Sequence, residues 1–445
     1  MLIISPTFPP KSTPDLQRVR MSLPYYRENG WEPIVLTVAA ADVEAPDEPA
    51  LLETVPVDVA VYRCHALSPA TSRRVGLGNL GWRAWWSIAW TGARLIREHH
   101  IDLVFFSTTQ FALLPLGRIW KAVSGIPFVV DLQDPWRTDY YERPGVRRPP
   151  GGWKYQAARA QAALLEPWSF HPLAGLITVS ADYLRDLRMR YSWFRPIPAA
   201  TIGFGASEHD LTAAVAMEPK EAEPISREEQ NPSGARLIHL VYTGASGPII
   251  PHAVSVLFAA LRNFRATTPE QAARLRLHFI GTSYAPADQA KLSILPLAES
   301  FGLADLVDER ASRVGHLECI RAQAKADVLL LLGSSDRAYS PSKIYPYFLA
   351  KRPIVAVVFR ESVLEKLLQQ LGGAVVANFS ENDTTAAQET LVTYFTSLTQ
   401  HGAVLPSDRN EMYFNQHYLA RTLTAQQAQL FDRALDFARA DVVVL

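Results

Sequence analysis

One feature constrains this chain more than any other: short apolar, β-branched runs are each followed by a stretch of helical periodicity, and the whole series occurs twice. In the first half the runs occupy residues 2–5, 33–38, 57–64, 103–107, 128–132 and 176–180. Helical patterns at 14–28, 82–98, 111–123, 153–169 and 181–190 lie among them. Runs such as Leu103-Val104-Phe105-Phe106 are apolar at consecutive positions, which suits strands covered on both faces. Strand followed by helix, repeated, predicts a doubly wound α/β layer structure with a parallel sheet.

The series is interrupted once. Between 207 and 235 the chain carries Glu218-Pro219-Lys220-Glu221-Ala222-Glu223-Pro224 and Asn231-Pro232-Ser233-Gly234. Charged, proline-bearing sequence of this kind reads as a linker or long surface loop. Alternation resumes with runs at 237–243, 275–280, 307–310, 328–332, 353–358 and 374–377, and the tail 411–440 reads as one or two helices. The 445 residues therefore divide into domains at 1–205 and 237–410, a linker at 206–236, and helices over 411–445 that are open to packing back on the first domain. Two such halves imply a cleft between them, with ligands beyond the carboxyl ends of the strands.

Composition excludes several classes. Lys+Arg and Asp+Glu both number 44, so no whole-protein field draws in nucleic acid. The two cysteines, Cys64 and Cys319, are too few for a disulfide framework or a Cys-based zinc site. The opening residues do not read as a secretory signal, and no apolar run approaches the roughly 20 residues needed to span a bilayer. The expected location is cytoplasmic, with any membrane contact peripheral. Trp82, Trp86 and Trp90 recur at helical spacing after Arg73-Arg74, a pattern that suits either an interfacial helix or a stripe packed on a sheet.

Four segments after strand candidates carry chemistry. In Lys11-Ser12-Thr13-Pro14-Asp15, Thr13 and Pro14 read as a cap and first helical residue, with Lys11 nearby to favour an anion and Arg18 and Arg20 following. A solvated lysine beside a capped helix is the plainer alternative. In Phe128 to Arg137 an apolar strand runs into Asp131, Asp134, Trp136 and Arg137. Such carboxylates either bind sugar hydroxyls and accept protons or cap a turn. Ser340-Pro341-Ser342-Lys343 puts a lysine in a first helical turn, where the dipole disfavours it unless a phosphate comes to the same spot. Tyr242-Thr243-Gly244-Ala245-Ser246-Gly247 carries small residues that let a phosphate approach backbone amides. No Walker loop, Gly-x-Gly-x-x-Gly after the first strand, His-Glu-x-x-His or Asp-x-Asp pair occurs, so no metal site and no cofactor are expected.

Taken in order, these segments resemble glycosyltransferase family 4. The resemblance lies in Ile3 to Pro10 with Arg18-Val19-Arg20, in Gly125-Ile126-Pro127 through Asp134-Pro135-Trp136, in Ile177-Thr178-Val179-Ser180, and in Ser342-Lys343-Ile344-Tyr345 with Lys351-Arg352-Pro353. It implies a GT-B fold of two Rossmann-like domains, a nucleotide-diphosphate sugar on the carboxyl half and a glycan or lipid-linked envelope acceptor on the amino half. It also implies a retaining, metal-independent reaction. Lys343, Gly244, Ser340, Ser342 and Tyr345 would hold the donor, and Lys343 would neutralise the leaving diphosphate. Asp131 or Asp134 would orient the sugar or the acceptor hydroxyl, with Lys11, Arg18, Trp136 and Arg137 on the acceptor side. Pro346 stands where the family pattern has a glutamate, and Glu361 is the substitute carboxylate. A catalytically inactive binding protein and a sugar-nucleotide epimerase share the same architecture.

Overall fold

The computed structural model describes residues 1–74, 78–138, 152–218, 225, 229–231, 233–246, 250–283, 285, 289–337, 339 and 341–443. The chain forms two compact units, Met1–Phe204 together with Ala420–Leu445, and Gly205–Leu419.

In the first unit, β1 (Leu2–Ile4), β2 (Ile34–Val38), β3 (Ala60–Cys64), β4 (Val104–Ser107), β5 (Phe128–Leu132), β6 (Gly175–Thr178) and β7 (Ala199–Thr201) make one sheet. Its order is β3-β2-β1-β4-β5-β6-β7, and every pair is parallel. Ile3 lies opposite both Val35 and Phe105, so the order reverses on either side of β1. The switch point of the sheet is therefore the gap between the carboxyl ends of β1 and β4. The sequence pattern misses β7, because Ala199-Ala200-Thr201 is a short, half-exposed edge with little β-branched content.

The helix expected over 14–28 is broken. Helix Gln17–Ser22 is flanked by 3-10 turns at Pro14–Leu16, Leu23–Tyr25 and Arg27–Asn29. Pro24 has no N–H to donate and crowds the preceding turn, so the α-helix stops before it.

Helix Ala420–Val443 completes this unit. Its buried face presents Leu423, Leu430, Phe431 and Ala434 to the sheet, and the Phe431 ring lies 4.9 Å from Phe105 and 5.5 Å from Trp31. Gln427 accepts from the Tyr26 hydroxyl at 2.8 Å and donates to Ser22 at 2.9 Å. The tail is thus not one block. Helix Glu411–Tyr418 stays in the second unit, where Phe414 stacks on Phe348 at 4.6 Å.

The second unit contains β8 (Ile238–Thr243), β9 (Leu275–Ile280), β10 (Val307–Arg310), β11 (Val328–Leu332), β12 (Ile354–Phe359) and β13 (Ala374–Phe379), all parallel, in the order β10-β9-β8-β11-β12-β13. The topology repeats that of the first unit, and its switch point lies between β8 and β11. Continuous apolar strands such as Val328–Leu332 are buried on both faces. The segment expected as a linker carries a helix, Glu208–Ala216. Ser207 caps it, accepting from the Asp210 amide at 3.2 Å, and the Asp210 carboxylate reaches His316 at 2.9 Å. The prolines and charges that argued for a loop begin only after this alanine-rich stretch.

Candidate functional site

The second unit brings two sequence-predicted residues together at its switch point. Gly244 follows β8, and Lys343 stands just before the short helix Ile344–Leu349 that follows β11. A Cβ on Gly244 would lie 3.1 Å from the Lys343 Nζ, and the glycine has φ +103, a conformation that side chains resist. Tyr242, which opens the same segment, has no role assigned from sequence. The Lys343 ammonium donates to the Tyr242 hydroxyl at 2.6 Å and sits 3.8 Å over the centre of its ring. That is a cation–π contact capped by a hydrogen bond. The hydroxyl in turn donates to the Ala245 carbonyl at 2.9 Å. No carboxylate of the described residues pairs with the ammonium. Burial pushes the lysine down to about 7, with a smaller upward pull from Cys319. The residue as a whole is only half-buried, but its charged end is the deep part.

Pro346 is the third residue of its helix. Backbone N–H groups there have no intrahelical acceptor, so the proline removes no helix bond and the helix begins at Ile344. Tyr345, expected at the donor, is stacked on Tyr418 at 4.7 Å, and burial raises its hydroxyl to about 12. Its ring is committed to that packing. Ser342 is exposed beside Lys343, and Ser340 lies outside the described residues. Glu361 is exposed after β12 with φ +61 and pairs with Arg337 at 3.2 Å. Its backbone amide donates to Glu365, whose other carboxylate oxygen accepts from Asn378 at 2.7 Å.

In the first unit the predicted acceptor-side residues separate into three groups. Lys11 is turned away from an anion role. Its ammonium pairs with Asp47 at 3.0 Å and donates to the Ala45 carbonyl at 3.1 Å. Arg18 and Asp131 meet as a buried ion pair at 2.8 Å, with side chains 3% and 0% exposed. The same Asp131 oxygen accepts from Ser107 at 2.8 Å and Gln133 at 2.9 Å. Arg18 also donates to the Ile202 carbonyl at 2.7 Å. Asp131 is thus an internal tie between β5, β4 and the first helix, buried where the sequence placed it against a substrate. Burial of a charge requires such partners.

Asp134 is the exposed carboxylate of the pair. Desolvation by its surroundings, and then the nearby Asp15 carboxylate, raise its pKa. Asp15, to which the sequence assigned no role, is buried, accepting from Thr13 at 2.5 Å and Thr109 at 3.4 Å. Thr13 therefore serves Asp15 instead of capping the helix. These groups belong to the loops after β1, β4 and β5, at the switch point of the first sheet.

Beside them Trp136 stacks on Phe111 at 5.5 Å and lines a cavity of about 420 Å³ with Trp82, Arg137 and Arg159. Arg137 donates to the Tyr191 hydroxyl at 3.0 Å, which donates to buried Glu166 at 2.9 Å. Among the described residues no cluster of three or more His, Cys, Asp or Glu side chains is arranged to hold a metal ion.

Residues 17–205 match the glycosyl transferase 4-like domain model. Among solved structures, the chain is similar to HepE from Anabaena, in complex with UDP, at a TM-score of 0.54 and 12% identity over 97% of this chain and 99% of that one. It is similar to the UDP-forming α,α-trehalose-phosphate synthase of Burkholderia xenovorans, in complex with glucose-6-phosphate, at 0.52 and 13% over 99% and 98%. It is also similar to the sucrose-phosphate synthase of Thermosynechococcus elongatus, at 0.52 and 10% over 98% of each chain. No curated protein matches it in sequence. The fold is GT-B, two Rossmann-like units in one chain.

Proposed function

We propose that this protein transfers a sugar from a nucleotide-diphosphate sugar, bound at the switch point of the second unit, to a glycan or lipid-linked envelope acceptor bound by the first. The observation that carries the reading is the Lys343 ammonium, held by Tyr242 beside Gly244 with no carboxylate partner among the described residues. A buried cation lacking a counter-charge is poised to exchange its tyrosine for a diphosphate, and it then stabilises the negative charge that grows as the glycosidic bond breaks. That stabilisation needs no metal ion, and the family resemblance favours retention of configuration. Asp134 orients the acceptor hydroxyl, because its raised pKa suits a shared proton. The UDP and sugar-phosphate ligands of the similar structures make UDP the first donor base to try.

A membrane-side acceptor is favoured by the outer faces of three neighbouring helices. Trp86 and Trp90 on Leu80–Glu98, Ile119 and Val123 on Pro115–Ser124, and Leu164 and Trp168 on Trp153–Phe170 are exposed. Arg118 lies 4.8 Å over the Trp168 ring. Aromatic and basic groups on one surface suit the inner face of the cytoplasmic membrane. Among the described residues no helix is long and apolar enough to cross one.

Thermal denaturation with UDP, GDP, ADP and TDP tests the donor site. A nucleotide at about 100 times its dissociation constant stabilises by about 2.7 kcal/mol. One nucleotide is expected to shift the wild type and not Lys343→Ala. A folded protein that no nucleotide shifts would favour the inactive binding protein instead.

A further inference from the structure

We propose that a slot between two helices of the first unit takes the acyl chain of an anionic lipid, with Arg97 at the headgroup. The proposal rests on the membrane-side reading above and names the partner for that surface.

The slot follows from small residues set among large ones. Gly92 lets helices Leu80–Glu98 and Pro115–Ser124 approach, because a Cβ there would fall 2.4 Å from the Trp120 ring. Trp120 is buried, stacks on Phe106 at 5.8 Å and donates its indole N–H to the Ala89 carbonyl at 3.2 Å, so it forms a fixed floor. Ala93, one residue beyond Gly92, leaves open the space a larger side chain would fill. The result is a cavity of about 780 Å³ walled by Trp90, Ala93, Ile101, Trp120, Val123 and Ile126. Ile101 precedes β4 and Ile126 precedes β5, so the cavity lies at the amino ends of these strands, the end of the sheet opposite its switch point. Its size is that of a small-molecule site.

Two observations favour a lipid. Trp90 and Val123 line the slot yet are 74% and 76% exposed, and Trp86, one turn before Trp90, is exposed with them. Exposed indoles beside an apolar slot suit the headgroup level of a bilayer, where one end of the ring is apolar and the other wet. The charge is the second observation. Between residues 94 and 121 the chain carries Arg94, Arg97, Arg118 and Lys121 against Glu98 and Asp102, an excess of two positive charges. Glu98 is matched by Arg94 at 3.8 Å, and Arg97, which lines the slot, is exposed. No Asp or Glu among the described residues lines it. A soluble anion gains nothing from the apolar walls, and a neutral lipid leaves the cations unanswered. A phosphate headgroup on an acyl chain satisfies both.

The test uses the full-length protein and two readouts. Calorimetry with lysophosphatidylglycerol and lysophosphatidylcholine, each kept below micelle formation, reads the slot itself. Flotation with phosphatidylcholine vesicles, with and without phosphatidylglycerol, reads the membrane. One lysophosphatidylglycerol is expected to bind per chain, about fivefold or more tighter than lysophosphatidylcholine, whereas glycerol phosphate, which has no acyl chain, does not bind. Arg97→Gln is expected to remove that preference. Ala93→Leu fills the slot while keeping the surface apolar, and is expected to lose the monomeric lipid. Trp90→Gln changes an exposed side chain and is expected to lose about tenfold or more in both assays, which decides the matter where Ala93→Leu does not fold. Unchanged thermal unfolding shows that a variant is folded. If neither monomeric lipid binds, if the two bind equally, or if folded Ala93→Leu binds as the parent does, the proposal is wrong. Self-association that is lost in Trp90→Gln, without lipid binding, gives the surface to a second copy and also overturns it. Vesicle binding that persists in those cases leaves the membrane-side reading standing, whereas its absence removes that reading too. The donor reading is judged separately, by nucleotide titration.

Discussion

Lys343 makes a quantitative test available. Its folded-state value is about 7, against 10.5 for an ordinary lysine, because its ammonium is desolvated. Between these values the unfolded chain binds more protons than the folded one, so stability rises with pH from about 7 to 10.5. At pH 7 the folded lysine is about half protonated and the unfolded one almost fully so. By pH 9 about half of the folded-state cost is gone, which amounts to about 2 kcal/mol gained across two pH units. For a unit of this size that is about 4–8 °C in Tm. Lys343→Met keeps the apolar stem and removes the titration. The comparison is best made in a Cys319→Ser background, which removes a neighbouring group that acts on the lysine. The variant is expected to be at least as stable as the parent at pH 7, with the difference shrinking toward pH 10. Nucleotide affinity should move oppositely. A diphosphate binds the protonated lysine, so affinity falls by up to about tenfold per unit above pH 7, while the phosphate's own titration lies near 6. Urea denaturation and UDP calorimetry at pH 7, 8 and 9 measure both. Parallel pH slopes for parent and variant, or a UDP affinity flat across the range, would refute the argument that this ammonium is buried and waiting for an anion.

Other perturbations follow from the same geometry. Gly244→Ala imposes a side chain at φ +103 and drives its Cβ to 3.1 Å from the lysine nitrogen, so a loss of about 1–3 kcal/mol in stability with weaker UDP binding is expected by thermal shift. Arg18→Met strands the Asp131 carboxylate in the core; urea denaturation should record a loss of about 3–5 kcal/mol at neutral pH. Phe431→Ala opens a cavity under Phe105 and Trp31, with a cost of about 3–5 kcal/mol to the unit formed by Met1–Phe204 and the last helix. The same variant should bind UDP normally at permissive temperature.

The sequence by itself determined the class of fold and most of the strands. Phe128–Leu132, Leu275–Ile280, Val307–Arg310 and Val328–Leu332 coincide with strand candidates read from the sequence, and Val328–Leu332 is the plainest of them, because a strand buried on both faces is apolar at every position. It also singled out Gly244 and Lys343, which the fold brings within reach of one another. Tertiary structure decided what side chains do once partners arrive from distant segments. Arg18 and Asp131, 113 residues apart, neutralise one another in the core, and Lys11 is claimed by Asp47. Tyr345 is taken by Tyr418 from the tail, while Tyr242 becomes the resting partner of Lys343. Local sequence records periodicity and turn chemistry, whereas the pairing of charges depends on which strand ends the sheet order brings together.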